Sequence, residues 1–189
     1  MQKRSKPKHA IKILYHNRFW VIFLKCLGLF FAGAMAGLIF FYFFKDLSVA
    51  LTERYKFLQS IFGVRQYEPG VRYLSVLGAI LLGNIISTTA YFILSYFKTL
   101  IPLSVLSGFL MVILLFAGAE VRQTAVPAEV FVLFSVEAFY RCLALTGGEH
   151  LYKNRFEKKS VFITTVVVIF VLLLGAAFYE IYQVFGYIF

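Results

Sequence analysis

The sequence predicts an all-α, polytopic integral membrane protein: a bundle of five transmembrane helices with an amphipathic helix in the first outer loop. Two observations predict it. Of 189 residues, 61% are hydrophobic and only 15% charged, whereas soluble domains sit near half apolar and about a quarter charged. Phe alone occurs 23 times, and the mean hydropathy is +0.82. A water-soluble core of this size cannot hide so many apolar side chains. The apolar residues also fall into five runs, each near the roughly 20 residues that cross about 30 Å of hydrocarbon as a helix.

Taken in order, residues 1–18 read as a basic cytoplasmic arm, and "MQKRSKPKHAIK" suits a flexible segment held near anionic lipid headgroups. Residues 19–189 form a single membrane domain, because no polar stretch is long enough to fold independently. The first span covers about 19–44. Its basic start and "AGAMAG" imitate a signal peptide with a cleavage site, but the apolar run continues to Phe44, well past a cleavable segment of about 7–15 residues. We therefore expect a retained helix. Its Gly33 and Gly37 form a small-xxx-small motif for close helix packing, and the same pattern serves dimers and intramolecular contacts.

The outer loop, 45–73, holds "LSVALTERYKFLQSIF", with Leu47, Leu51, Tyr55, Leu58 and Phe62 at helical spacing opposite Glu53, Arg54 and Lys56. That stripe predicts a helix lying in the interface or packed over the helix ends. "YEPG" (67–70) turns the chain toward the second span, 74–97. This span places Asn84, Ser87, Thr88 and Tyr91 on one face, where interhelical hydrogen bonding is the simple account. A short "KTLIP" connection leads to the third span, 103–119, followed by the fourth, 127–147, and the fifth, 161–182.

Orientation follows Lys and Arg placement. With the N-terminus in the cytoplasm, the inner segments carry Lys3, Arg4, Lys6, Lys8, Lys12, Arg18, Lys98, Lys153, Arg155, Lys158 and Lys159. The outer ones carry Lys45, Arg54, Lys56, Arg65, Arg72 and Arg122. The bias predicts a plasma-membrane protein with its N-terminus inside and, after five spans, its C-terminus outside. The net charge of +10 is spread among these flanks, so it points to topology and lipid rather than nucleic acid. Cys26 and Cys142 both fall in apolar runs, as small hydrophobes, with no metal-binding spacing. The sequence calls for no cofactor and no metal.

The fourth span carries the candidate site. Charged residues inside membrane spans are rare and usually face a bundle interior or an aqueous cavity. Glu137 and Arg141 stand one helical turn apart, placed to pair along one face, and pairing removes much of the cost of burying either alone. Glu129 lies about 80° around the helix from Glu137, so the three share a broad side. Ala144 and Gly148 continue the stripe as small residues that admit a neighbouring helix. Three readings stay open: a buried pair that fixes packing, a substrate or proton path, and a partner-binding site. Lys25, Glu120 and Glu180 are the other charged residues in or near the ends of spans.

Two family resemblances bear on function. "VEAFYRC" resembles the "EExx(F/Y)R" signature of CPBP-type intramembrane proteases at Glu137, Tyr140 and Arg141. Val136 replaces the first Glu, and only His150 follows as a candidate ligand, so this is the lesser alternative. A resemblance spanning nearly all five helices is to the stage II sporulation protein M-like family of small polytopic membrane proteins. Gly33 and Gly37 resemble the glycines that close that family's first helix, and Asn84 and Phe92 match its Asn and Phe at the same separation. Gly108 matches the Gly of its "NG", where Ser107 departs. Glu137 matches the Glu of "HGxxE", with Leu133 and Phe134 in place of His-Gly, and Ala144 and Gly148 match the small residues that follow.

The resemblance implies a non-enzymatic membrane scaffold that assembles with itself or with other membrane proteins. In spore formers such a protein holds cell-wall hydrolytic partners at the membrane. The alternative from the residues themselves is a transporter or channel-like protein with a polar site at Glu137, Arg141, Glu129 and Asn84 at mid-membrane depth.

Overall fold

A computed structural model describes residues 8–61, 73–154 and 159–185. Every element among them is an α-helix: α1 (Lys8–Phe43), α2 (Lys45–Ile61), α3 (Tyr73–Tyr96), α4 (Leu100–Val121), α5 (Ala128–Asn154) and α6 (Lys159–Phe185). Five of them contain stretches long and apolar enough to cross a membrane: Arg18–Phe43, Leu74–Tyr96, Leu100–Val121, Ala128–Tyr152 and Ser160–Tyr182. The outward surface is itself apolar, with Val21, Phe31, Met35, Ile93, Val167 and Val171 all exposed. That arrangement suits lipid as the surrounding solvent, and the chain is a multi-pass membrane protein.

Several boundaries move from their expected places. α1 begins at Lys8, so helix reaches back into the segment expected to be a flexible arm. α4 starts at Leu100 rather than 103, because Pro102 falls in its first turn, where its missing N–H costs no internal bond. α5 continues past 147 to Asn154, through Gly147 and Gly148. Two helical glycines cost about 1 kcal/mol each in an exposed helix, and here close packing offsets that cost. The expected turn at 67–70 lies outside the described residues.

α1 and α4 run parallel and share the most extensive interface. Their glycines explain it. A Cβ on Gly33 would strike the Val105 carbonyl oxygen, and one on Gly37 would fall 2.6 Å from the carbonyl oxygen of Phe109. From the other side, a Cβ on Gly108 would strike the Phe30 carbonyl oxygen and lie 2.9 Å from the Ala34 amide nitrogen. The small-xxx-small motif of α1 is thus spent inside the chain.

α3 and α5 are also parallel, with α6 antiparallel against both. Gly148 meets the Phe92 carbonyl oxygen and the backbone of Tyr96, while Gly147 sits against the Phe92 ring and the Thr165 methyl. α5 is the central helix, touching α1, α3, α4 and α6. Every residue from Cys142 to Leu151 is buried.

α2 packs over the end of α4, as one of the expected placements has it, with its hydroxyl residues rather than its apolar stripe at the contact. Leu47 and Leu51 point outward, while Ser48 and Thr52 are buried on the side that packs over α4. The hydroxyls do not obstruct this contact, because each donates to a carbonyl of its own helix turn: Ser48 to Phe44 and Thr52 to Ser48, both at 2.9 Å. At the same end Lys45 Nζ pairs with Glu120 Oε1 at 2.7 Å. The α3–α4 turn and the end of α4 place Lys98 (φ 65°) and Gln123 (φ 51°) in the left-handed region. There Thr124 N–H reaches back to the Ala119 carbonyl, closing the helix end.

Candidate functional site

α5 brings Glu137 and Arg141 together as their spacing requires. Arg141 Nη2 donates to Glu137 Oε2 at 2.6 Å, and each side chain is 15% exposed. The guanidinium carbon also lies 5.9 Å from the centre of the Tyr91 ring on α3, at the outer range of a cation–π contact. A charge-assisted bond and an aromatic face therefore offset the desolvation of Arg141.

Tyr140, the residue before Arg141, is 0% exposed. Its hydroxyl lies beside the Arg141 guanidinium, while Arg141 Nε is buried without an acceptor among the described residues. From α6, Glu180 comes within electrostatic reach of both Glu137 and Tyr140. The site so formed holds Tyr91 from α3 and Glu137, Tyr140 and Arg141 from α5, with Glu180 of α6 at longer electrostatic range.

The other two polar residues expected at the site do not join it. Glu129 is exposed in the first turn of α5, where a carboxylate complements the helix N-terminus. Its backbone carbonyl, not its side chain, meets the Tyr179 hydroxyl at 3.5 Å. Asn84 is half-buried, its backbone carbonyl accepts from Ser87 Oγ at 3.1 Å, and no described contact carries its amide to the pair.

The expected packing residues all sit in crossings: Gly33, Gly37 and Gly108 between α1 and α4, and Gly148 between α3 and α5. Ala144, fully buried, belongs to the main core cluster. Sequence reasoning placed Glu180 at the end of a span but left it out of the site. No local spacing links α6 to α5, so only their antiparallel packing brings it in. Gly147 was missed as well, although its adjacency to Gly148 was a usable signal.

His150, the only histidine after Arg141, lies more than three turns from Glu137, about 20 Å along α5. It packs edge-on against Phe19 of α1, with ring centroids 5.5 Å apart. His150 and Glu137 are therefore not brought together. Among the described residues no group of three His, Cys, Asp or Glu side chains is placed to hold a metal ion.

Cys26 and Cys142 are both fully buried free thiols. Cys26 Sγ lies 3.1 Å from Ser104 Oγ and within hydrogen-bonding reach of Cys142, joining α1, α4 and α5. At the far end of α5 the Lys98 ammonium sits 4.8 Å from the centre of the Tyr152 ring. Lys98 holds its proton above the ordinary lysine range, chiefly because its ammonium donates to the Tyr152 hydroxyl oxygen.

Comparisons with protein-family models, with curated proteins and with solved structures return no match.

Proposed function

We propose that this chain is a non-enzymatic integral membrane subunit, a scaffold that assembles with itself or with partner membrane proteins. One observation carries the reading. Only 11% of the α3 span is buried, against 44% of the α5 span. The outward face of α3 includes Ser75, Gly78 and Thr89, and a Cβ on Gly78 would meet nothing within 4 Å. Small and hydroxylated residues on an open membrane helix suit close approach by another helix. The glycines of α1, by contrast, are already spent on α4. The resemblance to stage II sporulation protein M-like proteins agrees with a scaffold, since Gly108, Ala144 and Gly148 all serve packing.

The test is purification of the tagged chain in mild detergent, with Gly78→Leu alongside. Space around Gly78 leaves the monomer fold intact in the variant. A stoichiometric partner or a self-oligomer that dissociates in Gly78→Leu supports the scaffold. A monomer in both samples, with no co-purifying membrane protein, overturns it.

A second reading, a transporter or channel-like protein, is favoured by the largely buried Glu137–Arg141 pair inside the span. Ionisable groups within a membrane bundle are the usual material of ion and proton pathways. Flux across reconstituted vesicles that is lost in Glu137→Gln would support this reading, and impermeable vesicles would sink it.

A further inference from the structure

α1 carries a charge that the bundle does not use. Lys25 lies within the apolar stretch Arg18–Phe43, yet it is exposed beside the exposed Val21 and Leu24 rather than turned inward with Cys26. Charges within membrane spans usually face the bundle interior, so a lysine on the lipid side calls for an anion from outside the chain. Arg18 stands seven residues earlier, about 10 Å down almost the same line of the helix. It is exposed as well, and among the described residues neither cation is in an ion pair.

The packing of α1 on α4 fixes how deep Lys25 sits. Cys26 Sγ lies 3.1 Å from Ser104 Oγ, and Gly108 meets the Phe30 carbonyl oxygen four residues further along both helices. Lys25 therefore stands level with Leu103, less than one turn inside an apolar stretch of α4 that begins at Leu100. From that depth its four-carbon stem, laid along α1, carries the ammonium back to the headgroup level on the Arg18 side. A carboxylate on a partner helix would itself have to be buried to meet Lys25. A lipid phosphate already lies at the headgroup level and needs no burial.

On the other side of Lys25 the helix surface is open. Gly28 and Ala32 follow three and seven residues on, both exposed, and a Cβ on Gly28 would meet nothing within 4 Å. An acyl chain fits against these small residues while its phosphate is held nearer the membrane surface.

We propose that Arg18 and Lys25 bind the phosphate of one anionic phospholipid, in the leaflet at the N-terminal end of α1, with an acyl chain along Gly28 and Ala32. Arg18 offers a planar fork suited to two phosphate oxygens, and Lys25 adds a compact point charge. Two uncompensated cations favour a headgroup of net negative charge over a zwitterionic one, whose own ammonium they repel. The site uses nothing from α3, so it stands or falls separately from the scaffold reading.

The test is native mass spectrometry of the full chain, delipidated in mild detergent and titrated with dioleoylphosphatidylglycerol or dioleoylphosphatidylcholine. The wild type retains one phosphatidylglycerol roughly tenfold more tightly than phosphatidylcholine. Arg18→Gln with Lys25→Gln loses that preference, and Arg18→Lys with Lys25→Arg keeps it. Lys98→Gln, which removes an exposed cation from the α3–α4 turn, leaves it unchanged. Every substituted side chain is exposed, and circular dichroism checks that each variant is folded. A preference that survives in the double Gln variant overturns the proposal. So does one lost equally in Lys98→Gln, which would mark diffuse attraction to a basic bundle end. Displacement of the lipid by equimolar inorganic phosphate would remove the acyl contact and overturn it too. An acidic membrane protein that leaves with Lys25→Gln, while lipid retention is unchanged, would make the anion a partner's carboxylate and also sink the lipid site.

Discussion

Gly108 of α4 and Phe30 of α1 meet backbone to backbone, so close that a single methyl group on Gly108 would overlap the Phe30 carbonyl oxygen. Backbone cannot rotate aside as a side chain does, and Gly108→Ala must push two parallel helices apart. Overpacking of this kind costs about 1–3 kcal/mol, and the upper end is expected here. Gly28→Ala, Gly78→Ala and Gly175→Ala meet nothing within 4 Å and should be neutral or gain up to about 1 kcal/mol from helix propensity. Thermal unfolding of the four variants in one detergent checks the contrast. Equal melting temperatures for Gly108→Ala and Gly78→Ala would remove the close crossing.

The Glu137–Arg141 pair should respond asymmetrically to truncation. Arg141→Ala leaves the largely buried Glu137 carboxylate without its cation, and with the Glu180 carboxylate within electrostatic reach. Glu137→Ala leaves Arg141 with the Tyr91 ring and the Tyr140 hydroxyl beside it. Breaking a largely buried pair costs about 3 kcal/mol, so we expect that for Arg141→Ala and roughly half for Glu137→Ala. The double variant should lose less than Arg141→Ala alone. Chemical unfolding of the three variants measures the order, and a Glu137→Ala penalty above that of Arg141→Ala would contradict it.

Lys98 makes alkaline pH the informative range. Its raised proton affinity comes first from the bond to the Tyr152 hydroxyl. A lysine raised in the folded state contributes stability that is fully present below the ordinary lysine value, about 10.4. That stability disappears as pH rises through the higher folded value. Tyr152→Phe keeps the ring beneath the ammonium but removes the hydroxyl. The Lys98 Cε resonance, followed by NMR, should titrate at higher pH in the wild type than in Tyr152→Phe.

Lys45 and Glu120 form a short ion pair, yet their side chains are 53% and 45% exposed. Exposed pairs contribute about 0–1 kcal/mol and are screened by salt. Lys45→Ala should therefore lower the melting temperature slightly in low salt and not at all in high salt. A large loss that persists in high salt would mean that the contact holds α2 to α4 more firmly than its exposure implies.

Some of this architecture is local and was therefore readable. The five spans follow from apolar runs, and the Glu137–Arg141 bond follows from their separation by one turn, which any helix would honour. The need for small residues at Gly33, Gly37, Gly108 and Gly148 was also visible. Their partners were not, because a small-xxx-small pattern says that something approaches and not what does. Span ends were misread where apolar character and helix part company, as at Gly147–Gly148, which continue α5 through surroundings that only glycine admits.

By itself, then, the sequence determined which segments enter the membrane and which neighbours along one helix can pair, because hydropathy and helical pitch are properties of contiguous chain. Tertiary structure alone decided that the α1 glycines close on Val105 and Phe109, that α2 packs through Ser48 and Thr52, and that Gly148 of α5 closes on the Phe92 carbonyl of α3. Those relations join residues tens of positions apart. They depend on the parallel or antiparallel sense and the register of packed helices, which no periodicity within a single helix encodes.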